Sequence, residues 1–252
     1  MNSPLAYVGG KSRLSKTIIE MIPQHQAYCE VFAGAAWVFF RKHQSKYETI
    51  NDLDRDLIGF YRVLQHHLEE FLRQFKWLLS SRELFDDFKR QADAGGLTDI
   101  QRAARYYYLQ RHAFGGRVLS RSFGPGPLKR PRINLLRIEE ELSEVHLRLS
   151  GVTVENLSWH EFVRRYDRAQ TFFYLDPPYY QAPYYRHNLK MEDYQHMASV
   201  LAGVKGKFIM SINDHPDIRE TFAGFEIHPV ELKYTVNAAR PTVGHELLVR
   251  NF

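Results

Sequence analysis

The chain of 252 residues is 44% hydrophobic and 25% charged, with a formal net charge of +5 and one cysteine. That is room for one large α/β domain carrying an inserted lobe, without an intramolecular disulfide or a cysteine-rich zinc site. No apolar run approaches the ~20 residues that span a bilayer, and the opening MNSPLAYVGGK lacks the apolar core of a signal peptide; the single Cys29 fits a reducing, cytoplasmic setting. The twelve histidines are scattered and read as solvated side chains rather than ligands, and no metal is expected. No internal repeat or low-complexity tract interrupts the chain.

The first feature is Tyr7-Val8-Gly9-Gly10-Lys11, opening a helix expected over Lys11–Met21. Gly10-Lys11-Ser12 imitates the end of a phosphate-binding P-loop, but that loop needs a glycine where Leu5 stands, so the reading fails. A strand over Ala27–Phe32 then runs into Ala33-Gly34-Ala35-Ala36 and a helix over Ala36–His43. Small residues let a ligand lie against such a turn, although they also serve packing alone. The next strand, Tyr47–Ile50, ends at Asn51-Asp52. Asp52 lies eighteen residues after Gly34, where an acid accepts from a ribose diol; capping the helix that begins near Asp54 is the alternative.

From Asp54 to Leu79 an apolar stripe predicts one long amphipathic helix, the start of a mostly helical lobe inserted between strands. Between Gln101 and Ile138 fall nine Lys/Arg and no acid: Arg102, Arg105, Arg111, Arg117, Arg121, Lys129, Arg130, Arg132 and Arg137. Tyr106, Tyr107, Tyr108, Phe114 and Phe123 are interleaved with them. Cations with aromatics suit phosphate contact and base stacking, which favours nucleic acid over a merely solvated face. The segment Ser122–Arg132, rich in Gly and Pro, is expected to be mobile without DNA.

Strands then resume at Val152–Val154, Thr171–Leu175, Lys207–Ser211, Glu226–Val230 and Glu246–Arg250, with helices at Ser158–Arg165, Met191–Val204 and Pro216–Thr221. Alternation of strand and helix predicts a Rossmann-like, doubly wound, mainly parallel sheet with its ligands beyond the strand ends. The strand at Thr171–Leu175 breaks into Asp176-Pro177-Pro178-Tyr179. Two prolines stop a strand, but they explain neither the acid nor the tyrosine. An adenine amine is a poor nucleophile because its lone pair is delocalised into the ring. Asp176 and the carbonyl of Pro177 could accept both amine hydrogens and direct the lone pair outward, while Tyr179 stacks on an extruded base. A chance Asp-Pro-Pro-Tyr in a chain this long is an event on the order of one in a thousand.

These residues together resemble the Dam-like (D12 class, alpha-type) DNA adenine-N6 methyltransferases over nearly the whole chain. Tyr7, Gly9, Gly10 and Lys11 match that family's first motif, and Glu30, Phe32 and Gly34 its acid-x-Phe-x-Gly motif. Asp52 matches its ribose-binding acid, Asn156 and Leu157 fall where the donor's adenine is contacted, and Asp176, Pro177, Pro178 and Tyr179 form its catalytic motif. Glu246-Leu247-Leu248 resembles its closing strand. The resemblance implies the S-adenosylmethionine-dependent methyltransferase fold, direct methyl transfer from S-adenosylmethionine, no metal, base flipping and double-stranded DNA as partner, with no obligate protein partner and a monomer expected. Residues 1–55 and 151–252 would form the catalytic domain and 56–150 the target-recognition domain. Arg105, Arg111, Phe114, Arg117, Arg121, Lys129, Arg130 and Arg132 would meet DNA, Phe114 by intercalation. Ala36 departs from the family's second glycine, and Ala6 stands where readers of GATC often carry a lysine. The target sequence is therefore left open, as are restriction-modification, regulatory and phage roles. Cytosine-N4 or RNA adenine methylation, and a silent DNA-binding protein, are the alternatives; the aspartate in place of serine favours adenine.

Overall fold

The computed structural model describes residues 1–7, 11–91, 95–124, 132–182, 185–234 and 242–252. In chain order the elements are α1 (Ser15–Met21), β1 (Ala27–Glu30), α2 (Trp37–Arg41), β2 (Tyr47–Asn51), α3 (Arg55–His66), α4 (Leu68–Arg73), α5 (Arg82–Arg90) and α6 (Asp99–His112). There follow a 3-10 turn at Phe114–Gly116, α7 (Ile138–Leu149), β3 (Thr153–Glu155), α8 (Trp159–Tyr166) and β4 (Thr171–Leu175). The chain ends with α9 (Met191–Ala202), β5 (Lys207–Asn213), α10 (Pro216–Thr221), β6 (Glu226–Tyr234) and β7 (Thr242–Arg250).

The strands form one sheet in the order β3-β2-β1-β4-β5-β7-β6. All neighbours from β3 to β5 are parallel, with Ala27 opposite both Tyr47 and Thr171, and the last hairpin is antiparallel. This is the mainly parallel, doubly wound sheet expected, and its strand order reverses between β1 and β4. Both faces are covered because successive side chains point to opposite sides. Tyr28, Ile50, Phe172, Tyr174 and Ile209 pack with α2, α3, α6 and α7 on one face. Cys29, Phe173, Leu175, Phe208 and Met210 pack with α8, α9 and α10 on the other.

The amphipathic stretch from Asp54 is two helices rather than one. His67 leaves helical geometry at φ −137°, ψ 40°. The His146 imidazole of α7 donates from Nδ1 to the carbonyl of Leu64 at 2.9 Å, taking the acceptor that a continuing helix would give to Leu68. The break turns Phe71 and Phe75 onto Tyr107 of α6, with ring centroids 5.7 and 5.6 Å away. The three consecutive tyrosines are core residues, not stacking platforms: Tyr106, Tyr107 and Tyr108 are all buried, and Tyr107 stacks on Phe60 at 5.6 Å. The histidines are not uniformly solvated either. His112 is buried beneath Phe123, in contact with the Tyr108 carbonyl and Ser80 Oγ. No helix among the described residues is long and apolar enough to cross a membrane.

Candidate active site

The reversal of strand order between β1 and β4 opens a crevice at their carboxyl ends, where ligands of such sheets sit. A cavity of about 290 Å³ occupies it. Glu30 and the Phe32–Val38 turn line it from β1, Asn51–Asp54 from β2, Leu157–His160 from β3, and Asp176 with Pro178 from β4.

The turn after β1 is tight. Gly34 takes φ +47°, and Ala36, at φ +51°, is also left-handed, a region L-residues enter only with strain. A Cβ at Gly34 would come within 3.5 Å of the Tyr7 ring, so this turn and Tyr7 close on one another. Glu30 is buried at the head of α2, accepting from the Phe39 N–H at 3.1 Å and the Tyr28 hydroxyl at 2.5 Å. Burial raises its carboxyl to about 8, against the lowering effect of the Tyr28 hydrogen bond.

Asp52 does not cap the following helix. Asp54 does that, accepting from the Asp56 and Leu57 N–H groups. Asp52 instead accepts from the Gly34 N–H at 2.9 Å and from the Asp54 N–H at 2.9 Å, which ties the ends of β1 and β2 together and aims the carboxylate at the cavity rim. Burial raises it to about 6. Asn156 is not among the lining residues; its Nδ2 donates to the carbonyls of Asp52 (2.8 Å) and Leu53 (3.2 Å). Asn51 makes the matching clamp, donating to the carbonyls of Val31 and Leu157 and accepting from the Leu157 N–H. Nothing in its sequence position marked it beyond the end of a strand.

At β4, Lys11 is 4% exposed and its Nζ lies 2.7 Å from Asp176 Oδ1, 3.7 Å from Glu246 Oε2 and 2.7 Å from the Tyr179 hydroxyl. Burial pulls its ammonium down, but Asp176 and Glu246 outweigh burial and the pKa ends above its ordinary value. Ser211 on β5 donates to the same Asp176 oxygen at 3.1 Å. Burial lifts Asp176 to about 6 even against Lys11. Tyr179 is half-buried, its ring under Lys11 at 4.4 Å, rather than the exposed ring its sequence suggests. Pro177 is buried, and the Pro178 carbonyl accepts from Tyr194.

The structure thus gathers Tyr7, Lys11, Glu30, Phe32, Gly34, Asp52, Leu157 and Asp176 around one cavity. Gly10, Lys129 and Arg130 lie outside the described residues, as does most of the stretch expected to be mobile. The sequence reading placed Glu246 in the closing strand but not beside Lys11, and it missed the segment Tyr185–Leu189, which also reaches the cavity. Among the described residues no group of His, Cys, Asp and Glu is arranged to hold a metal.

The cationic residues of the helical lobe divide into two sets. Arg105 is buried and donates to the Gln91 carbonyl, and Arg121 is buried over Tyr106 and donates to Gln110 Oε1 at 3.1 Å. Arg111 donates to the carbonyls of Pro4 and Arg132, and Arg132 to that of Ala113. Phe114, at 46% exposure, and Arg117 stand out into solvent. Val118, two residues from Gly116, lines the cavity itself, so the loop that displays Phe114 also touches the site.

Residues 7–236 match the family model described as D12 class N6 adenine-specific DNA methyltransferase. The chain is 27% identical over 270 residues to a Type II methyltransferase, M1.LlaDCHI, of Lactococcus lactis subsp. cremoris, covering 98% of this chain and 94% of that protein. It is 24% identical to the DNA adenine methylase of Escherichia coli, over 93% of this chain and 88% of the other. A DNA N-6-adenine-methyltransferase of Escherichia phage P1 is 26% identical across 96% of this chain, which spans only 34% of that longer protein.

Proposed function

The chain belongs to the D12 class of N6 adenine-specific DNA methyltransferases, and from that premise we propose that it methylates the exocyclic N6 of an adenine flipped out of double-stranded DNA. The observation that carries the residue assignment is the partly buried Asp176, fixed through Oδ1 by Lys11 and Ser211 on a cavity it shares with Asp52.

The cavity fits S-adenosylmethionine by the chemistry of its lining. Asp52 offers a carboxylate to a ribose diol, the Ala33–Ala36 turn presents little bulk, and Trp159 and Leu157 give apolar surface for an adenine. When bound, S-adenosylmethionine supplies a methyl group on a cationic sulfur, which the N6 lone pair takes up as the carbon–sulfur bond breaks and a proton leaves the amine. The protein's part is to make that lone pair available. Asp176, ionised, accepts one amine hydrogen and the Pro177 carbonyl the other. Tyr179, its hydroxyl held by Lys11, supplies the face on which the base stacks. Lys11 stays protonated and keeps the Asp176 carboxylate in one orientation.

Residues 1–55 and 151–252 form the catalytic unit in this reading, and 56–150 the recognition unit. Phe114 and Arg117 reach the DNA together with Lys129 and Arg130. Arg111, Arg121 and Arg132 serve recognition by holding the loop that displays them, and Arg105 by bracing α6 against the end of α5. The protein acts in the cytoplasm as a monomer.

The test is incubation with S-adenosylmethionine and unmethylated genomic DNA, followed by mapping of modified bases by single-molecule sequencing. N6-methyladenine within one short motif is expected, and its loss in Asp176→Ala. Methylation that persists in that variant would remove Asp176 from the mechanism, and N4-methylcytosine in its place would change the target base.

A further inference from the structure

We propose that residues 185–189 form a strap that retains the methyl donor, held shut by the Arg186–Asp56 ion pair. The inference rests on the cavity being the donor site and adds to it a retaining element outside the motifs.

The floor of the cavity is rigid, being made of strand ends and of turns locked to one another by Asn51, Asp52 and Asn156. Its remaining side is different. Tyr185, Arg186, His187 and Leu189 line the same space as Asp52 and Asp176, yet they lie in a segment without helix or strand. Asn188 donates to the Tyr185 carbonyl at 2.7 Å, which folds the segment on itself. Among the contacts that tie it to the rest of the molecule are a ring stack and an ion pair. The Tyr185 ring stacks on Tyr7 with centroids 6.3 Å apart, and Tyr7 in turn rests on the Gly34 turn. Arg186 Nη1 lies 3.1 Å from Asp56 Oδ2, with side chains 33% and 18% exposed.

Tyr185 is partly buried on the cavity wall. Burial raises its hydroxyl above the ordinary range, Asp176, Glu246 and Asp52 raise it further, and Lys11 lowers it, so the ring sits among the charged groups of the site. A donor reaching from Asp52 to Asp176 therefore passes beside Tyr185, and its exchange requires the strap to lift. Lifting breaks a partly exposed ion pair and the Tyr7–Tyr185 ring contact without disturbing the hydrogen bonds of the sheet. Such a closure is firm enough to slow escape and weak enough to open. Asp56 is not among the residues lining the cavity, and its carboxylate meets the strap through Arg186.

The probe is S-adenosylhomocysteine bound to the full chain, with its release followed by tryptophan fluorescence after a chase; Trp37 and Trp159 both line the cavity and report on it. Arg186→Ala should speed release about fivefold, the scale of a half-exposed ion pair. Asp56→Asn should do the same, and the double variant no more than either, because both remove one contact. Arg186→Lys should recover part of the slow release. Unchanged release in both single variants would overturn the strap. So would fast release in Arg186→Ala alone, since Arg186 would then touch the donor directly. Wild-type protein that is folded but does not bind S-adenosylhomocysteine would instead remove the donor-site reading, and the strap with it.

Discussion

Two residues show how the site sets chemistry against stability. Burial raises both Asp176 and Asp52 to about 6 from an ordinary value of 3.8. A carboxyl whose pKa is raised by folding contributes stability fully below the unfolded value, and that contribution is lost as pH rises through about 6. In the proposed mechanism activity runs the other way, because there only the ionised Asp176 accepts an amine hydrogen. The methylation rate is expected to be flat above about pH 7 and to fall roughly tenfold per unit below about pH 6. Protonation of Asp176 should appear in kcat and that of Asp52 in the KM for the donor. A pH–rate profile with a flat kcat down to pH 5 would contradict the assignment. Ala36 is a second case. Its left-handed backbone costs ~1–2 kcal/mol, but its Cβ is buried and worth roughly 0.8 kcal/mol, and glycine brings its own entropic penalty of ~0.5–1 kcal/mol. Ala36→Gly should thus change the unfolding free energy by less than about 0.5 kcal/mol. Ala36→Val, β-branched at φ +51°, should cost more than about 2 kcal/mol in urea denaturation.

At the scale of elements, the decisive joints are where the helical lobe meets the strand ends. Gly116 has φ +66°, and a Cβ there would lie 2.7 Å from the Tyr7 backbone nitrogen and 2.8 Å from the Ala6 carbonyl carbon. Gln110 donates to the carbonyls of Ala6 and Gly116 at 2.7 Å each, bridging the same two segments from within α6. The displayed loop and the wall of the cavity therefore move together. Gly116→Ala should cost more than about 2 kcal/mol of stability and weaken both S-adenosylhomocysteine and DNA binding. Calorimetry that finds donor affinity unchanged in a folded variant would separate the two. The α3–α4 break belongs here as well. The apolar spacing of residues 54–79 is that of a helix throughout, yet the helix ends at His66, where the His146 imidazole, 82 residues away from Leu64, takes the Leu64 carbonyl.

Across the whole molecule, the +5 charge is divided between structure and surface. Of the nine cations in the stretch from Gln101 to Ile138, four are spent on contacts inside the protein, and Arg102 and Arg137 pair with Asp99 and Glu140. Arg117 remains exposed among the described residues. The DNA affinity should consequently be less salt-dependent than nine phosphate contacts would make it. Arg117→Ala should reduce the slope of log K against log salt by about 1, whereas Arg121→Ala should act first on stability by leaving Gln110 and Tyr106 without their partner. A steeper loss of slope in Arg121→Ala than in Arg117→Ala would reverse that division. The sequence by itself determined the sheet, because short, near-continuous apolar runs closed by polar turns and separated by helical patterns are local features that burial on both faces enforces. The chemistry proposed for Asp176 is legible there too, because two prolines, an acid and an aromatic ring are adjacent in the chain. Only the tertiary structure decided which arginines face water, that Tyr106 to Tyr108 are core, that Asn51 clamps two strand ends, and that Tyr185 and Arg186 close over the cavity. Each of these depends on partners far away along the chain, such as Arg111 on Pro4 or Arg186 on Asp56, and charge or aromaticity in one stretch carries no record of them.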